Sequence, residues 1–284
     1  MRFSPTDRRW LALVCLSLPL LWTAGCTGNR KSSPEAEEGA DSAAYAQIEI
    51  LEDGAARLAA LRKFVKERPS SREAGEAYVD LIELARTEDP ASVPGALRDF
   101  LKTDHASPGP YNAVGWDLAE AGEHLDLAVR VLEKAVAKAR AGEDEQMLAS
   151  CLDSEAWARH KNGDHATAAA RMEEAYAILG PGNDEIDEHM ALIYDAAGMD
   201  EKAKPIYMDL LSHMESPLLR GNLARIVSDG GGSLAEIEAE ISRRRAEGAT
   251  EAPDFTLPTL ASAEQVSLKD FRGRVVLLNF WHPT

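Results

Sequence analysis

The sequence predicts a mainly α protein, a solenoid of paired helices followed by an incomplete α/β segment. Three observations predict it. From about residue 45 to 248 apolar residues recur at three- and four-residue spacing, the period of an amphipathic helix. Inside that stretch a glycine-marked unit repeats, with Gly122, Gly163 and Gly198 separated by 41 and then 35 residues. Self-similarity at such a period marks stacked supersecondary units. After residue 248 the texture turns to Pro-containing and β-prone sequence. The chain divides into a leader (1–25), an acidic tether (26–44), the helical array (45–248) and the α/β segment (249–284).

The leader has a positive start (Arg2, Arg8, Arg9), an apolar run from Trp10 to Trp22 and the tetrapeptide Thr23-Ala24-Gly25-Cys26. It resembles a bacterial lipoprotein signal peptide, with small residues at the cleavage site and Cys26 as the lipidated residue. The resemblance implies lipid anchoring of the protein in the cell envelope through Cys26, facing the periplasm. Thr27 in place of Asp implies the outer membrane. Residues 27–44 are small, polar and acidic with no apolar period, which predicts a disordered tether. Loss of the leader removes Cys15, so with Cys26 lipidated only Cys151 remains as a thiol and no intramolecular disulfide is expected.

Within the array, Ala55–Val65 and Glu73–Ala85 read as helices, Asp89-Pro90 breaks the run, and Pro94 fits the first turn of the next helix. Trp116 lies six residues before Gly122, Trp157 six before Gly163, and Leu192 six before Gly198. After each glycine comes a helix with a small residue followed by larger apolar ones: Ala128, Leu132, Ala135; Ala168, Met172, Ala175; Ala203, Tyr207, Leu210. The first copy has one extra residue before its alanine, and the third carries Pro205 inside its second helix. These units resemble tetratricopeptide repeats, in which the glycine marks the turn between helices A and B. Residues 55–102 and 217–247 read as degenerate copies or caps, with Ser233 and Glu236 as a capping box. The resemblance implies a concave surface that takes a peptide or protein partner; a structural spacer is the alternative.

The formal net charge of −17 at pH 7 excludes nucleic acid as a partner, since polyanions are bound by clustered Lys and Arg. No cofactor or metal is expected. HExxH and Cys/His pairs are absent, and Gly230-Gly231-Gly232 lacks the Gly-Lys-Ser/Thr of a phosphate cradle. His160 and His165 straddle a turn and read as surface histidines. Trp116 and Trp157 read as inter-helix packing residues, and Cys151 as a small buried hydrophobe.

The last segment carries Ala252-Pro253-Asp254-Phe255-x-Leu257, then Val266-x-Leu268-x-Asp270-Phe271-x-Gly273, then the apolar run Val275–Trp281, which suits a strand buried on both faces of a complete sheet and, without partner strands, is expected to lie exposed. It resembles the start of the redoxin branch of the thioredoxin-like superfamily, which includes TlpA-like oxidoreductases and thiol-specific antioxidant proteins. Trp281-His282-Pro283-Thr284 matches the residues that flank the family's catalytic CxxC, which makes an envelope thiol–disulfide oxidoreductase the expected activity of a longer product. The nucleophile is expected just after Thr284, with a UGA codon for selenocysteine as one explanation. No catalytic residue falls within the chain itself, which is expected to be inactive in disulfide reduction. The alternative is a lipid-anchored repeat scaffold without redox activity.

Overall fold

The computed structural model describes residues 34–250, 252–259 and 264–279. The leader, Cys26, Trp281, Pro283 and Thr284 lie outside the described residues, as does any test of their expected roles.

The described residues form twelve α-helices: α1 Pro34–Glu49, α2 Gly54–Glu67, α3 Ala74–Glu88, α4 Val93–Lys102, α5 Gly109–Ala121, α6 Leu125–Arg140, α7 Glu145–Lys161, α8 His165–Leu179, α9 Asp184–Ala196, α10 Asp200–His213, α11 Pro217–Asp229 and α12 Leu234–Gly248. Their starts follow local chemistry. The side chains of Asp53, Asp144, Asp164, Asn183, Ser216 and Ser233 each accept a hydrogen bond from a backbone N–H in the first turn of the helix that follows. Pro94 and Pro217 sit in first turns, where the missing N–H costs nothing.

The three repeat glycines all have positive φ, at 68°, 87° and 71°, which favours glycine because it has no Cβ to clash. In each copy the residue after the glycine donates its N–H five residues back: Glu123 to Leu118, Asp164 to Arg159 and Met199 to Tyr194. That is one C-terminal helix cap used three times. The extra residue of the first copy is taken up entirely in the turn, where His124 adopts φ 49°. The nine B-helix residues singled out in the repeats are all buried, none more than 1% exposed.

The first helices of successive pairs pack in series, α3 on α5, α5 on α7 and α7 on α9, while α6 packs on α7 and α8 on α9. The array is thus a row of helical hairpins sharing one continuous apolar core. At its C-terminal end α12 packs on α10, buries Ile241, and sends Arg245 to the Leu211 and Met214 carbonyls at the end of α10.

One expectation changes. Residues 34–44 of the predicted tether belong to α1. Ala and Glu are strong helix formers even without an apolar stripe. The helix is held by Asp41 accepting from Arg68 at 2.7 Å, by a Ser42–Glu73 hydrogen bond, and by Tyr45, whose hydroxyl donates to Asp80 and whose ring lies 5.6 Å from Phe64. Near the other end, Thr256–Pro258 (β1) and Gln265–Ser267 (β2) pair antiparallel, and Val275–Asn279 lies outside any sheet, as expected of an apolar run without partner strands. Val275 and Leu277 are fully exposed, at 102% and 92%. A strand buried on both faces needs neighbours on both edges, and among the described residues only this two-stranded hairpin exists.

Candidate docking cleft

The A helices α5, α7 and α9 place a run of rings along one face of the array. Trp116 of α5 lies 5.7 Å from His189 of α9; His189 stacks on Trp157 of α7 at 4.3 Å; Trp157 stacks on His160 at 5.1 Å; and His160 lies 5.1 Å from His165 at the start of α8. The tryptophans therefore do pack between helices. The histidines differ from expectation: His160 and His165 are half-buried members of the run, because the turn at Gly163 folds the start of α8 back over the end of α7.

His189 is only 8% exposed, and its Nδ1–H donates to the buried carboxylate of Asp153 at 2.9 Å. This bond fixes the ring and leaves Nε2 without a hydrogen-bond partner among the described residues. The Trp157 indole N–H donates to Glu120 of α5 at 2.5 Å, and Lys161 Nζ lies 5.0 Å from the centre of the Trp157 ring. A cleft of about 390 Å³ opens beside these rings, lined by Glu120, Trp157, Asp184, Glu185, Glu188, His189 and Leu192. It has four carboxylates and no Lys or Arg. Asp184 accepts from His213 Nε2 at 3.0 Å, whereas Glu185 and Glu188 make no ion pair among the described residues. Among the described residues no three His, Cys, Asp or Glu side chains are grouped to hold a metal ion, and no helix is long and apolar enough to cross a membrane.

Burial, with smaller contributions from neighbouring His165, Lys161 and His189, pushes the His160 pKa down to about 4. The unfolded chain, with a histidine pKa near 6.5, takes up this proton first as pH falls. The stability linked to His160 is therefore complete above about pH 6.5 and lost as pH drops towards 4. Because the ring is half-exposed, solvent screening limits the loss to about 1–2 kcal/mol. Thermal melts across this range should show the decline, and His160→Gln should flatten it; an unchanged decline in that variant would assign it to other groups.

Cys151 is fully buried in α7 with its Sγ 3.9 Å from Met147 Sδ, and burial pushes its thiol up to about 12. It stands apart from the cleft. In a Cys15→Ser/Cys26→Ser background, Cys151 should react with an aromatic disulfide reagent at pH 8 only after denaturant is added. Native-state labelling at the rate of a free thiol would contradict its placement.

Sequence reasoning missed Glu120, Asp153 and His189. The available signal was their spacing: Glu120 and Trp157 are 37 residues apart, Asp153 and His189 are 36 apart, each about one repeat.

No family model and no curated protein matches this chain. Thirteen chains of solved structures are similar to it, PilW and PilF among them. PilW, a widely conserved type IV pilus biogenesis factor, is 16% identical over 75% of this chain and 99% of its own, with a TM-score of 0.47. PilF of Pseudomonas aeruginosa is 16% identical over 75% of this chain and 96% of its own, with a TM-score of 0.46.

Proposed function

We propose that this chain is a protein-binding scaffold of tetratricopeptide-like repeats, docking a segment of a partner along its A-helix face. The observation that carries this reading is the cleft between α5, α7 and α9. Its ring wall is fixed by the buried His189–Asp153 and half-buried Trp157–Glu120 hydrogen bonds, while exposed Glu185 and partly exposed Glu188 keep its carboxylate rim open to solvent. A pure spacer has no need of a buried Asp153–His189 pair beside an open cleft. The test is selection of a random peptide library on the full chain, followed by variants. Selected peptides should lose at least tenfold in affinity with Trp157→Ala or Leu192→Arg, and keep it with Arg130→Ala on α6. Peptides that bind all these variants equally, or a library that yields none, would leave the spacer reading.

The leader adds a location to the proposal: a lipid on Cys26 holds the scaffold at the bacterial envelope, facing the periplasm. Radiolabelled palmitate should enter the protein and fail to enter Cys26→Ser; equal label in both would remove the anchor.

A second reading treats residues 252–284 as the start of a redoxin domain. It is favoured by the order of its motif residues and by the way Asp254 accepts from the Ser267 hydroxyl at 2.9 Å and the Lys269 N–H at 3.1 Å, linking the two halves of the motif. If it holds, a product running beyond Thr284 reduces insulin and loses that activity when the residue after Thr284 is replaced by serine.

A further inference from the structure

We propose that the occupant of this cleft is a cationic side chain, best an arginine guanidinium, presented by an extended segment of the partner; the inference rests on the docking reading above. The cleft is small. At about 390 Å³ it sits near the lower end of the roughly 300–1,000 Å³ typical of ligand pockets, room for one or two side chains rather than a helix. Its walls offer acceptors and no cations: Glu120 from α5, and Asp184, Glu185 and Glu188 from α9.

Acidic residues in the first turn of a helix have a simpler explanation, since they offset the helix dipole. That accounts for Asp184 and Glu185. It accounts less well for Glu188, a turn further in, and not at all for Glu120, which approaches from another helix. His189 is the independent observation. More than nine-tenths buried, it lines the same cleft, and Asp153 has taken its Nδ1–H, so the unpaired Nε2 is the ring's remaining polar atom. In the neutral ring that nitrogen is a lone-pair acceptor, matched by an N–H donor.

A guanidinium fits this set better than an ammonium. Its five N–H donors lie in one plane and can reach carboxylates on two helices and a ring nitrogen at once. Trp157 already stacks against His189 and His160 and has Lys161 Nζ over its ring, so the occupant is held by its charge and its hydrogen bonds rather than by stacking on that indole. Leu192 offers an apolar wall for the methylene stem.

The experiment measures fluorescence anisotropy of the full chain with labelled Ala/Ser-rich peptides bearing two Arg, two Lys, two Gln or two Glu at matched positions. The arginine peptide should bind at least tenfold tighter than the glutamine peptide and more tightly than the lysine one. Glu188→Lys should cost tenfold or more and favour the glutamate peptide instead. Glu143→Lys, the same charge change in the α6–α7 loop, should cost less than threefold, which separates the site from general attraction to an acidic protein. Equal binding of the arginine and glutamine peptides, or equal losses in the two charge-swap variants, overturns the proposal. Failure here is distinct from failure of the docking reading: library peptides that depend on Trp157 but lack arginine keep the scaffold and remove the cation.

Discussion

Gly115→Ala is expected to destabilise the protein by about 2 kcal/mol, although alanine is the better helix former by about 1 kcal/mol. Gly115 lies in the middle of α5, facing α6. A Cβ there would stand 2.3 Å from Leu132 Cγ and within 2.9 Å of both its methyl groups. Leu132 is fully buried, so it cannot swing out to solvent. Non-bonded carbons sit about 3.5–4.0 Å apart, so α5 and α6 must separate by an ångström or more and open the core along their seam. Valine at 115 should cost more. The decisive measurement is a double-mutant cycle by chemical denaturation. Leu132→Ala alone should cost about 2–5 kcal/mol, but Gly115→Ala with Leu132→Ala should cost at least about 1 kcal/mol less than the sum, because the second truncation makes room for the first addition. Strict additivity would mean that the two helices are not held apart by that contact.

Loss of the Glu155 carboxylate should be larger still. Glu155 is 1% exposed and accepts from Arg159 Nε at 2.7 Å and from Arg171 Nε at 3.1 Å. Arg159 also reaches Glu133 on α6 and Asp164 in the turn, and Arg171 reaches Glu174, itself paired with Arg140. One buried carboxylate therefore sits at the centre of a charge network joining α6, α7 and α8. Glu155→Ala leaves guanidinium groups facing each other with their shared counter-ion gone, and removing one partner of a buried pair costs about 3–5 kcal/mol. Peripheral members should matter far less: Glu133→Ala, half-exposed, should cost no more than about 1 kcal/mol. Denaturation midpoints that move equally for the two variants would show that Glu155 behaves as an ordinary surface charge.

Much of the array was legible because its signals are local. The glycine turns, the small-then-large pattern of the B helices and the first-turn proline at 94 all lie within a few residues of what they determine, and the structure has them as expected. The cleft was not legible. Its hydrogen bonds join side chains one repeat apart, and nothing in the neighbourhood of Asp153 or His189 announces a partner 36 residues away. Gly115 was missed for the same reason, since its meaning lies in Leu132 on the opposite helix. Helix α1 was missed because a stretch judged by its lack of apolar period was helical on propensity and polar contacts. The Val275–Asn279 run follows the sequence expectation: β-forming residues give a strand only where other backbone is there to pair with them.

His124 has one further consequence. By turning a single residue into the left-handed region, the first repeat absorbs its additional amino acid without displacing any core position, and Ala128 lies as deep as Ala168 and Ala203. Variation in length is thus confined to the connections and never reaches the interior. Foreign sequence grafted between Gly122 and Leu125, such as an epitope or a protease cleavage site, would ride on the outside of the molecule as cargo.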